Sequence, residues 1–139
     1  EVDMGELEGT FASEIAGTPK MLKWSRFDPD YVMDDKLSES MLEARFRVMG
    51  AVTDIVKRCR YEGIHNIGVI FHGAIMWILM LEALSPPEAA EAFRLCPNGM
   101  GIAVETDTED WFRRRKFEFL GYIPAGAERP TDTPFFEND

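Results

Sequence analysis

Apolar residues recur at three- and four-residue steps from Met41 through Ala44, Val48, Val52 and Ile55 to Cys59, the spacing of one helix face. Ser40 and Glu43 stand where a capping box opens such a helix, and Gly63 stands where one ends. The pattern predicts an amphipathic helix over 41–61. Beyond Gly63 the period disappears. Ile67-Gly68-Val69-Ile70-Phe71 is too short and too uniformly apolar for a surface strand, so it is expected to be a central parallel strand buried on both faces. After His72 the apolar run Ala74 to Leu81 predicts a second helix, buried all round, from Gly73 to Leu84.

Ser85-Pro86-Pro87-Glu88 has the composition of a helix start, with Ser85 as cap and Pro86 in the first turn, and predicts a helix to about Leu95. Gly101–Thr106 and Trp111–Ile123 are β-rich, and Asp107-Thr108-Glu109-Asp110 between them fits a hairpin loop. In the later strand Phe117, Phe119, Gly121 and Ile123 alternate with Lys116, Glu118, Leu120 and Tyr122, which predicts one buried face. Residues 1–9 read as an acidic loop with glycine turns, followed by a short helix from Phe11 to Ala16 that Gly17-Thr18-Pro19 stops. Residues 20–37 suggest a partly helical segment anchored by Trp24, Phe27 and Tyr31. The tail from Pro124 is rich in proline, threonine and acid, the composition of an extended or disordered segment, so the folded unit is expected to span 1–123.

With 139 residues, 45% of them apolar, the chain holds enough material for one core and not for two. Its formal charge of −10 excludes duplex nucleic acid and an anionic membrane surface as partners, since both demand clustered Lys and Arg. The longest apolar stretch, Ile67 to Leu81, is interrupted by His72 and is too short to cross a bilayer. Cys59 and Cys96 form no CxxC motif and have no histidine at metal-ligand spacing. They read as ordinary thiols of a reducing compartment, which points to the cytoplasm.

Chemistry changes the picture at one place. His72 lies between the apolar run that ends at Phe71 and the helix that opens at Gly73. A strand's carboxyl end meeting a helix's amino end is where open α/β sheets bind ligands, and the free N–H groups of the first helical turn favour anions. The competing reading is a hydrogen-bonded core histidine. Ala74, the second residue of that turn, would add a backbone donor, and Gly73 would let the backbone approach closely.

Glu1-Val2-Asp3-Met4-Gly5-Glu6-Leu7-Glu8-Gly9, then Leu37-Ser38-Glu39-Ser40 leading a helix with Arg47-Val48, then Phe71-His72-Gly73, resemble in order and spacing the histidine phosphatase superfamily. That superfamily includes the cofactor-dependent phosphoglycerate mutases and the α-ribazole phosphatase-like enzymes. The resemblance implies a three-layer α/β/α sandwich with a mostly parallel sheet. It also implies hydrolysis of a small phosphomonoester through phosphohistidine, with phosphatase favoured over mutase. His72 matches the superfamily's second histidine, which binds phosphate, and Glu1 matches its acid/base carboxylate. Ser40 matches a Gly-Glu-Ser turn, where a helix-cap role suffices.

The attacking histidine of the superfamily sits in an Arg-His-Gly motif, and no Arg-His-Gly occurs in the chain. The sequence begins inside a motif and reads as a portion lacking its N-terminal strands, expected to be inactive as it stands. It is expected to associate with the missing segment or with a second copy of itself. A non-catalytic anion-binding or regulatory module of the same fold is the rival reading. His65 reads as a loop residue, Arg113-Arg114-Arg115-Lys116 as a solvated face, and Met76, Trp77 and Met80 as core packing. No cofactor or metal is expected, and the expected partner is a small phosphorylated metabolite.

Overall fold

A computed structural model describes residues 1–24, 31, 38–85 and 99–125. In chain order it contains a 3₁₀ turn (Gly5–Leu7), α1 (Ala12–Ile15), α2 (Pro19–Trp24), α3 (Met41–Glu62), α4 (Gly73–Ala83) and β1 (Leu84–Ser85). These are followed by β2 (Gly101–Glu105), α5 (Thr108–Arg114) and β3 (Phe117–Ile123). The expected helix over 85–95 beyond Ser85, Cys96, the tail beyond Ala125 and most of the segment 20–37 lie outside the described residues.

Helix α3 forms where its apolar period and caps place it. The Ser40 hydroxyl accepts from the Glu43 N–H, and the Glu43 carboxylate accepts from the Ser40 N–H at 2.8 Å, which closes the capping box. At the other end Gly63 takes the left-handed conformation, φ 67°, and its N–H and that of Ile64 both donate to the Cys59 carbonyl. The stripe Met41, Ala44, Val48, Val52 and Val56 is buried; Ile55 and Cys59, expected on it, are half-buried on its flank. Against this stripe α4 packs Ile75, Ile78 and Leu79, while Trp111 of α5 and Phe117 of β3 stack at 4.7 Å between ring centres. Each such aliphatic side chain withdrawn from water contributes about 1.5–3 kcal/mol.

The sheet has the order β1-β3-β2 and is mixed. β1 pairs parallel with β3 through Leu84 and Phe117, and β2 pairs antiparallel with β3. The pairing of β2 with β3 slips by one residue between Ala103 and Val104, so Leu120 is an extra residue in β3. This bulge reverses the alternation. Phe117 and Phe119 turn inward before it, Tyr122 turns inward after it, and Ile123, expected on the buried face, is exposed.

Two further sequence expectations are corrected, besides the buried face of Ile123 and the mostly parallel sheet. Ile67–Phe71 is not a buried central strand: residues 64–72 carry no regular structure, and Ile67, Val69 and Ile70 are exposed. A strand is buried on both faces only when neighbours hydrogen-bond to its edges. Among the described residues no strand pairs with this one. Likewise 107–110 is not a hairpin loop, nor does a strand start at Trp111. The Asp107 carboxylate accepts from the N–H groups of Glu109 and Asp110 and caps α5, which buries Trp111 completely. Acid–threonine–acid before an apolar residue suits a turn and a helix start equally. The burial of Trp111 against α3 selects the helix.

Candidate phosphate site at the start of helix α4

His72 is the N-cap of α4, in extended backbone conformation, and its carbonyl accepts the first intrahelical bond from Met76 N–H. Its side chain caps no helical N–H, and the ring is 64% exposed. The core-histidine alternative is thereby set aside. Gly73 and Ala74 occupy the first two helical positions, whose N–H groups have no acceptor within the helix. The positive end of the α4 dipole thus faces outward beside the imidazole.

Opposite His72 stands Glu1, with its Oε2 at 3.4 Å from Nδ1 of the ring. Seventy-one positions separate the two in sequence, and three anchors bring them together. Val2 is only 2% exposed and sits in the core beside the α3 stripe. The Asp3 N–H donates to Glu39 Oε1 at 3.0 Å, and the Glu39 N–H donates to the Asp3 carbonyl at 3.2 Å. Finally, Arg47 Nη2 donates to the Glu1 carbonyl at 2.8 Å, while Nε and Nη2 hold both oxygens of the Glu39 carboxylate. The bonded Glu39 carboxylate raises the Arg47 pKa above its ordinary value, so Arg47 stays charged throughout.

All four residues singled out in the sequence, Glu1, His72, Gly73 and Ala74, therefore meet at one point on the surface. Arg47 and Glu39 were legible only as parts of a motif; the structure adds what they touch. Their signal is an acid just before the helix cap and an arginine two turns later, flanking the buried positions Ala44 and Val48. Ser40 is accounted for by its cap. His65 is exposed in the loop before the site.

A separate concavity of about 360 Å³ lies at the sheet, lined by residues that include Glu105, Asp107, Asp110, Arg114, Lys116 and Glu118, with neither His72 nor Glu1 among them. Its basic groups are engaged: Arg114 pairs with Asp110, and the Lys116 ammonium donates to the Glu82 carbonyl in the last turn of α4. Among the described residues no three His, Cys, Asp or Glu side chains converge as metal ligands, and no helix is long and apolar enough to cross a membrane.

The family model of the histidine phosphatase superfamily (branch 1) matches residues 1–117. The chain belongs to the histidine phosphatase superfamily. No curated protein and no solved structure matches it. Phosphoryl transfer is the general chemistry of this superfamily, and its match runs from Glu1 through His72 to Phe117, across every element that builds the site.

Proposed function

We propose that this histidine phosphatase superfamily member takes part in hydrolysis of a small phosphomonoester in the cytoplasm, with the phosphate held at the start of α4. The observation that carries this reading is the exposed His72 ring, set at a helix amino end and 3.4 Å from the Glu1 carboxylate. In its charged form His72 donates to a phosphate oxygen, and the N–H groups of Gly73 and Ala74 add fixed donors where charge grows in the transition state. Glu1 in its acid form gives its proton to the leaving oxygen as the P–O bond breaks. The phosphoryl group passes to a histidine of the Arg-His-Gly type, and water attacking phosphohistidine returns the proton to Glu1 and releases phosphate. No Arg-His-Gly motif lies within these 139 residues, whose own part in this scheme is to hold the phosphate and move the proton.

One alternative fits the same geometry, a phosphate-binding module without turnover, since the donors of His72, Gly73 and Ala74 hold an anion without any nucleophile. Two measurements separate the readings. In the 139-residue chain, titration with inorganic phosphate is expected to shift the amide resonances of Gly73 and Ala74, and His72→Ala to remove the shift. In the gene product expressed from its natural start, His72→Ala is expected to slow p-nitrophenyl phosphate hydrolysis by about 10²–10³-fold, the effect of losing one transition-state donor. Binding without any turnover selects the module. Amides that ignore phosphate, in the wild type as in the variant, sink both.

A further inference from the structure

We propose that Arg47 is a positioning residue that aims the Glu1 carboxylate at the phosphate site, through the Glu39–Arg47–Glu1 chain of hydrogen bonds. The inference rests on the reading of Glu1 and His72 given above and adds a residue to it. Glu1 meets the start of α4 through its carboxylate, at 3.4 Å from His72 Nδ1. Its backbone is held from α3, because the guanidinium reaches the Glu1 carbonyl with the same Nη2 that grips Glu39. The Glu39 carboxylate, 15% exposed, carries a third bond from the Asp3 N–H, so the segment is pinned on both sides of the buried Val2. A guanidinium fork serves this geometry because its donors point in fixed directions within one plane, whereas an ammonium is a compact charge on a flexible stem with no fixed fork. Arg47 is itself half exposed, and the Glu39 carboxylate that it would leave behind keeps its bond from the Asp3 N–H. Its removal therefore acts on where Glu1 points more than on whether the chain folds.

Leaving-group dependence separates positioning from mere structure. A carboxylic acid matters when the leaving oxygen needs a proton, as in an alkyl phosphate, and scarcely matters for p-nitrophenolate. In the gene product expressed from its natural start, Arg47→Ala is expected to lower kcat/KM for glycerol 2-phosphate by roughly tenfold more than kcat/KM for p-nitrophenyl phosphate, with Arg47→Lys between the two. His72→Ala slows both substrates alike. If His72→Ala leaves both rates unchanged, the phosphate-site reading fails; if it slows both while Arg47→Ala shows no leaving-group split, the positioning role fails alone. A second measurement needs no turnover. The side-chain carboxyl ¹³C resonance of Glu1 in the 139-residue chain is expected to move on addition of inorganic phosphate, and to stay still in Arg47→Ala while the Gly73 and Ala74 amides still respond. An equal Glu1 response in wild type and variant overturns the proposal, as does a Glu1 signal that never moves while those amides do.

Discussion

The hydroxyl of Thr53 joins three parts of the chain. It donates to the Met49 carbonyl at 2.7 Å and accepts from Trp111 Nε1 at 3.3 Å and from Arg115 Nη1 at 2.6 Å. Valine at this position keeps the shape and removes the oxygen, which leaves the indole N–H of a completely buried tryptophan without an acceptor. Thr53→Val is expected to cost about 1–3 kcal/mol, read from urea unfolding with an unchanged m-value. Arg115 earns a conformation unusual outside glycine, φ 55°, by this bond and by lying over the Trp111 and Phe112 rings at 5.8 Å. None of this was legible as a solvated basic run. Arg113 and Arg114 pair with Asp110, Arg115 crosses to α3, and Lys116 reaches α4, because the turn after α5 points successive residues in different directions.

At the scale of elements, legibility follows the sequence distance over which each element is decided. The capping box of α3 needs Ser40 and Glu43 alone, and α4 needs one continuous apolar run, so both are readable within a residue or two of their observed ends. The site shares this property on the α4 side, since His72, Gly73 and Ala74 are adjacent. Its Glu1 side depends on bonds to Glu39 and Arg47 that no local pattern announces; there the resemblance in motif order supplied what periodicity lacked. A strand is decided by its partner, which is why Ile67–Phe71 was misread. Ile70 is fully exposed beside exposed Ile67 and Val69, in an apolar stretch without regular structure, and exposed apolar patches favour association. Ile70→Lys is expected to leave folding stability within about 0.5 kcal/mol and to lower concentration-dependent light scattering. Scattering equal to wild type would discard that view of the segment.

For the molecule as a whole, α/β character was legible and sheet direction was not: the apolar alternation of β3 is compatible with either neighbour, and it pairs parallel on one side and antiparallel on the other. The acidic balance shows in the pH response. The Ser40 N–H and hydroxyl bonded to Glu43, and the Arg113 and Arg114 guanidinia bonded to Asp110, hold these carboxyls below the usual carboxylate range. A carboxyl with a depressed folded-state pKa favours folding above its unfolded-state pKa, and that contribution fades as pH falls through the folded-state value. Stability is therefore expected to decline from the ordinary carboxylate range downward, and Glu43→Gln with Asp110→Asn to flatten that decline. Melting temperature followed against pH checks it; an acid limb as steep in the double variant would assign the loss to other carboxyls.

One consequence follows from how α4 is seated. β1 follows α4 directly and pairs its Leu84 with Phe117 of β3, and eleven helical residues at about 1.5 Å each make a strut of roughly 16 Å between that seat and His72. The imidazole occupies one tip and the sheet-side concavity, through Lys116 and Glu118, the other. The two ends lie too far apart for one small molecule to span, so a group a few ångströms across meets only one of them.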